Sequence, residues 1–291
     1  MAQMMTRLPR LIVLMALAHL SVELCNNFMP IVYPLFISSM DLTYTQVGIV
    51  ALVAATGASL VQPVFGFWSD RWGAPRMTIV SIAWLGLLMG LVGLAWNYPI
   101  LVLLVGLGAL GSAAFHPAGA TLASLHGGQR RGAAMSVFSV SGTVGTAMSP
   151  LLVAVGIGWL GLSGTLVVLP VALLVSLFLF QQLGRERPVN DHVTAPPPQA
   201  QPYATPLPLD AGRLVGLGLI ILAAMCRSWF HLSLVTYLPE WLQSQGHSLE
   251  TSGQILSLLL VAISAGSLIG GPLSDAIGRW QVFALSLGLL P

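Results

Sequence analysis

The sequence contains no lysine; all eleven of its basic residues are arginine. Charged residues of both signs make up 7% of the 291 positions against 56% hydrophobic, and the mean hydropathy is +0.86. So few charges cannot cover a soluble domain, so the apolar surface is expected to face lipid. Only two cysteines occur, Cys25 and Cys226, both inside apolar runs and without metal-ligand spacing. That argues against a disulfide framework or a thiolate metal site. There is no glycine-rich phosphate loop and no nucleophile–base pattern, so nothing points to an enzyme, a cofactor or a metal. The short basic turn from His126 to Arg131 is no tract for nucleic acid, and the net charge is only +2.

What the chain does contain is a series of long apolar runs. A bilayer core of about 30 Å needs about 20 residues of helix, and on that ruler the fold class is all-α and polytopic. Spans are expected near 11–37, 47–68, 77–96, 100–122, 133–157 and 160–183. After a polar stretch come 214–241 and 254–273, and a ninth begins near Val282. The first run follows Arg7 and Arg10 but is longer than a signal core and carries His19, Glu23, Asn26 and Asn27, so it reads as a retained helix.

Arginine placement sets an expected orientation. Arg7, Arg10, Arg71, Arg76, Arg130, Arg131, Arg185, Arg187, Arg213 and Arg279 all fall on one side of the alternating spans. The loops around Asp41, Asn97, Gly158 and His247 carry none. The positive-inside rule then puts the N-terminus and the central linker in the cytoplasm of a cell (plasma or inner) membrane. The exception, Arg227, lies inside the seventh span.

The two ends of the chain share a skeleton. An offset of 205 residues pairs Pro34 with Pro239, Gly48 with Gly253, Ser59 with Ser264, Gly66 with Gly271, Ser69 with Ser274, Asp70 with Asp275 and Gly73 with Gly278. Parallel repeats in an apolar chain suggest a secondary transporter built of two similar halves. Residues 1–183 are expected to form a six-helix bundle, and residues 184–212, rich in proline around Pro196–Pro198, a mobile linker. Residues 213–291 then begin a second bundle of about two and a half helices, so the sequence reads as a fragment or a prematurely ended product.

The repeated charged turns, Gly66, Asp70, Arg71, Gly73 and Arg76 in one copy and Gly271, Asp275, Gly278 and Arg279 in the other, resemble the loop motif of the major facilitator superfamily; Ala276 replaces a basic residue in the second. Within it the chain looks most like the fosmidomycin-resistance branch, on His19-x-x-x-Glu23, Gln62-Pro63-Val-Phe-Gly66, Phe115-His116-Pro117, Gly142-x-x-Gly145 through Ser149-Pro150, and Gly270-Gly271-Pro272. The resemblance implies alternating access between two bundles, with Asp70 as part of a latch whose partner helix would lie beyond Pro291. It also implies an antiporter-type helix five, marked by Gly142, Gly145 and Pro150, though Ser149 stands where glycine is usual and helix four lacks the arginine typical of proton-coupled antiporters. Pseudo-twofold symmetry is expected to bring Asp275 toward Arg131 and Gly132.

Polar residues at membrane depth give the strongest pointer to mechanism. A charge at a helix centre costs about 2.5–3.5 kcal/mol on insertion scales, so Glu23 and Arg227 are expected to face a cavity or each other. His19 shares a helix face with Glu23, and His116, Asn26 and His231 complete the expected proton-coupling and substrate-binding set. The expected function is proton-coupled efflux of small drug-like or polar organic compounds, with substrate, protons and lipid as partners and the chain acting as a monomer. The alternatives are an uptake carrier for an organic acid or sugar, and a truncated, non-transporting membrane protein.

Overall fold

The computed structural model of the chain describes residues 10–127, 131–183 and 211–288, and among them every regular element is helical. The first crossing consists of α1 (Arg10–Asn26) and α2 (Met29–Met40), broken because Pro30 in the first turn of α2 has no N–H to return to α1. The second crossing, α3 (Tyr44–Ser59) and α4 (Gln62–Trp72), breaks ahead of Pro63 for the same reason. Next come α5 (Ala74–Leu91), α6 (Tyr98–Gly127) and α7 (Arg131–Leu160). A 3-10 stretch, Gly161–Val167, leads from α7 into α8 (Val168–Leu183). Last are α9 (Ala211–Ser244), α10 (Leu249–Ile277) and α11 (Arg279–Gly288).

Seven described stretches are long and apolar enough to cross a membrane. One of them, Ala134–Leu183, is 50 residues long and turns at Gly161, where φ is 59°, so it supplies two crossings. The eight full spans expected from the apolar runs are therefore present, and α11 starts the ninth.

The repeat is visible in the backbone itself. Asp41 (φ 52°) and Gly246 (φ 89°) are 205 residues apart, as are Gly73 (φ 89°) and Gly278 (φ 101°). Both members of each pair end one helix ahead of the next. Helix starts match too. Thr43 Oγ1 accepts from the Gln46 N–H at 3.2 Å ahead of α3, and Ser248 Oγ accepts from the Thr251 N–H at 3.1 Å ahead of α10. These caps satisfy N–H groups that have no partner within the helix.

α1 runs through the middle of the first six crossings, touching α5, α6, α7 and α8. Met15, Phe28, Phe36 and Phe115 are buried in one apolar cluster. Lipid is as apolar as these side chains, so close packing and interhelical hydrogen bonds hold such helices together. Ser149 Oγ donates to Leu24 O at 2.6 Å, Thr165 Oγ1 to Gly90 O at 2.8 Å and Ser176 Oγ to Ile79 O at 2.9 Å. Each such bond contributes about 0.6 kcal/mol.

The second set of helices meets the first at the Tyr44 end. Tyr237 OH donates to Tyr44 O at 3.0 Å, and Tyr44 OH to Glu240 Oε1 at 3.4 Å. Further in, Leu256 and Leu260 of α10 pack on Ala147 of α7. The repeat-related glycines both serve this junction: Gly48 faces Tyr237 OH, and Gly253 faces Ala154 and Pro150 O.

At the other end, Asp70 is exposed and forms no ion pair among the described residues. Neither a helix-start N–H nor a neighbouring arginine holds it; α5 begins without a side-chain cap, and Arg71 lies over the Phe67 ring, 4.0 Å from its centroid. The side chains of Gly132, Gly271, Asp275 and Arg279 lie outside the described residues, and so does the expected approach of Asp275 to Arg131.

Gly73 both closes α4 and opens α5 at φ 89°, ψ 129°, a region that L side chains avoid. Gly73→Ala is expected to destabilise the protein by about 1–3 kcal/mol. A thermal-unfolding midpoint in detergent equal to that of the wild type would show that the turn carries no such strain.

Candidate functional site

The site is organised by Glu23, on α1 one turn above His19. Glu23 Oε1 lies 3.4 Å from His19 Nε2 and 3.3 Å from His116 Nε2, which comes from α6. Its other oxygen, Oε2, accepts from Asn27 Nδ2 at 2.6 Å and from Thr146 Oγ1 of α7 at 3.3 Å. Three crossings thus converge on one carboxylate.

The first histidine is locked in place. His19 Nδ1 lies 2.7 Å from Phe138 O, and because a carbonyl can only accept, Nδ1 carries the proton. The ring stacks on Phe138 at 4.1 Å between centroids and meets the His116 ring edge-on at 5.4 Å. His19 is buried, whereas the His116 side chain is 31% exposed.

Beside the carboxylate is a cavity of about 300 Å³ lined by His19, Glu23, Thr146 and, from the second set of helices, His231, Leu260 and Ser264. Glu23 therefore does face a cavity, and α9 and α10 close its far side. The expected pairing with Arg227 is not what the structure shows. Arg227 is exposed on α9 and forms no ion pair among the described residues; Glu23 has the two histidines instead. Its depth matched Glu23, but depth says nothing about the direction in which a helix points a side chain. His231, one turn further along α9, is the residue that reaches the cavity.

Asn26 does line a cavity, one of about 190 Å³ shared with Tyr33, Ala51, Thr236 and Leu260, while its neighbour Asn27 holds the carboxylate. The i, i+4 spacing from Glu23 was the available signal for Asn27. Nothing in the sequence pointed to Thr146 or to the Phe138 carbonyl.

The model of the Major Facilitator Superfamily matches residues 11–290. The chain belongs to the major facilitator superfamily. It is a multi-pass membrane protein of a superfamily of transporters rather than enzymes, and within the superfamily it resembles the fosmidomycin-resistance branch. It is 29% identical to the fosmidomycin resistance protein of Escherichia coli (strain K12) over 95% of this chain and 68% of that protein. It is 33% identical to the uncharacterized transporter YfnC of Bacillus subtilis (strain 168) over 58% of this chain and 41% of that one. The fold is similar to the crystal structure of a bacterial homolog to the human lysosomal transporter Spinster, titled inward-facing and unoccupied. The TM-score is 0.73 at 19% identity, over 92% of this chain and 63% of that one. The chain thus spans about two thirds or less of the relatives it matches.

The helix-five motif of this superfamily member lies against the site. Gly142 and Gly145 on α7 face α1, and a Cβ on Gly142 would fall 2.6 Å from His19 Nε2. A Cβ on Gly145 would fall 3.0 Å from Leu20 C and 3.1 Å from Glu23 Cβ. Ser149, the departure from the usual glycine, is the residue that bonds Leu24 O. Pro150 is buried, and Gly253 of α10 packs against its carbonyl. The motif is a seat for α1. Gly145→Ala must push apart two backbones rather than displace a flexible side chain, and overpacking of this kind costs about 1–3 kcal/mol. The expected result is a lower melting temperature in detergent, and an unchanged one would show that α7 yields freely.

Proposed function

We propose that the protein works as a proton-driven exporter of small drug-like or polar organic compounds. Residues 1–183 and the bundle begun by residues 213–291 alternate access to a central cavity, joined by the linker 184–212, with the N-terminus and linker cytoplasmic and the chain acting as a monomer. One observation carries this reading: a carboxylate at membrane depth, Glu23, faces two imidazoles beside a cavity that helices of both sets line. Carboxylates and imidazoles are the side chains able to exchange a proton at physiological pH when their surroundings change.

The groups facing Glu23 are His19 one turn below it on its own helix, Asn27 just above it, His116 from α6 and Thr146 from α7, with His231 across the cavity. A proton taken up by Glu23 cancels the negative charge that faces His116 and His19. The cavity face then loses its negative charge toward a polar or anionic substrate, and the balance between the two arrangements of the bundles changes. Export is favoured over import by the resemblance to the fosmidomycin resistance protein. Uptake of an organic acid is the second reading, favoured by the three histidines around the site and by 27% identity to a probable sulfoacetate transporter, SauU of Cupriavidus necator, over 84% of the chain.

Glu23→Gln is expected to abolish transport against a gradient while substrate exchange or binding persists. Normal uphill transport with normal pH dependence in that variant would make Glu23 a packing residue. In intact cells a protonophore raises substrate accumulation for the exporter and lowers it for the uptake carrier, which separates the two readings. For orientation, a reporter active only in the cytoplasm is expected to work when fused near Pro197 and to stay silent near Asn97; the reverse pattern overturns the topology.

A further inference from the structure

We infer that His19 Nε2, His116 Nε2 and Glu23 Oε1 form a binding site for a divalent first-row transition ion of the zinc or cobalt class. The three ligand atoms lie within 4.8 Å of one another. The two imidazole-to-carboxylate separations, 3.4 and 3.3 Å, are long for N–H···O bonds, which run at about 2.7–3.2 Å. These two edges match that of a coordination tetrahedron, because metal–nitrogen and metal–oxygen bonds of about 2.0–2.1 Å at the tetrahedral angle set neighbouring ligand atoms about 3.3–3.4 Å apart; the third, between the two imidazoles, is no longer than 4.8 Å.

The surroundings are those of a prepared ligand set. His19 gives its Nδ1 proton to Phe138 O, so in the neutral ring Nε2 turns a lone pair toward Glu23 Oε1. Two lone pairs facing each other across 3.4 Å attract a cation between them. Glu23 Oε2 is occupied by Asn27 at 2.6 Å, which leaves Oε1 as the oxygen turned to the imidazoles. Two imidazoles and one carboxylate suit zinc, cobalt or nickel rather than magnesium or calcium. A fourth position opens on the cavity lined by Thr146 and His231, where water or a chelating substrate group fits. This inference stands on ligand geometry alone and holds whichever direction, if any, the protein transports.

The test is a cobalt titration of the whole chain, purified in detergent without a histidine tag and read by visible absorption. One equivalent of Co²⁺ is expected to give the intense bands of tetrahedral coordination, lost on adding Zn²⁺. His116→Ala and Glu23→Gln are each expected to weaken binding about tenfold or more, while His126→Ala and His247→Ala leave it unchanged. The inference is overturned if His116→Ala binds cobalt as tightly as the wild type, or if no tetrahedral spectrum forms. Should the variants fail to fold, X-ray absorption at the zinc edge of the unaltered protein decides: two imidazole ligands support the site, and none refutes it.

Discussion

A largely buried carboxylate at membrane depth needs partners, and the helices around Glu23 are arranged to provide them. Its two oxygens take contacts from α1, α6 and α7, and those contacts require the three helices to approach closely. The approach is possible because Gly142 and Gly145 remove side chains from the α7 face that meets α1. Ser149 then ties the two backbones together a turn further on. Breaking α1 from α2 at Asn27-Phe28 belongs to the same arrangement, because Asn27 at the break turns its amide back to Glu23. Packing, helix irregularity and polar chemistry share one cause at this point in the bundle.

Much of this was legible from the residues. Apolar run length located the crossings to within a few positions, and the 205-residue offset anticipated a structural repeat that reappears in positive φ angles at Gly73 and Gly278. His19 and Glu23 were readable as neighbours because a helical period is local. The partner His116, 93 positions from Glu23, was legible only as a polar residue at depth and through the family resemblance. What the sequence did not reveal is direction and bonding. Arg227 and His231 lie one turn apart on α9, and only the fold shows which of them reaches the cavity. Backbone acceptors such as Phe138 O leave no trace in side-chain identity. A metal-binding arrangement was invisible for a related reason: its ligands come from two helices and show no short spacing motif.

The repeat also shows which features belong to the architecture and which to this site. Helix caps at Thr43 and Ser248, and the junction glycines Gly48 and Gly253, occur in both copies and serve helix starts and helix contacts. The carboxylate and its His19 neighbour are not repeated at the 205 offset. Glu23 corresponds to Ser228, and the break at Asn27 has no counterpart in the unbroken α9, which lacks a proline matching Pro30. The chemistry was placed on one copy of a duplicated frame, and that asymmetry gives the cavity a distinct wall on each side.

The Tyr44 junction has a thermodynamic character of its own. Its polar contacts, Tyr237 to a backbone carbonyl and Tyr44 to Glu240, involve exposed groups that water can satisfy equally well. Exchanging such bonds for water changes the free energy by only about 0.5–1.5 kcal/mol each, within a few multiples of thermal energy. The packing of Leu256 and Leu260 on Ala147 has no such substitute, because water offers apolar side chains nothing in return. Any parting of the two sets of helices at this junction is therefore governed by how much apolar contact is broken. The hydrogen bonds act as a register mark that tells the surfaces where to meet again.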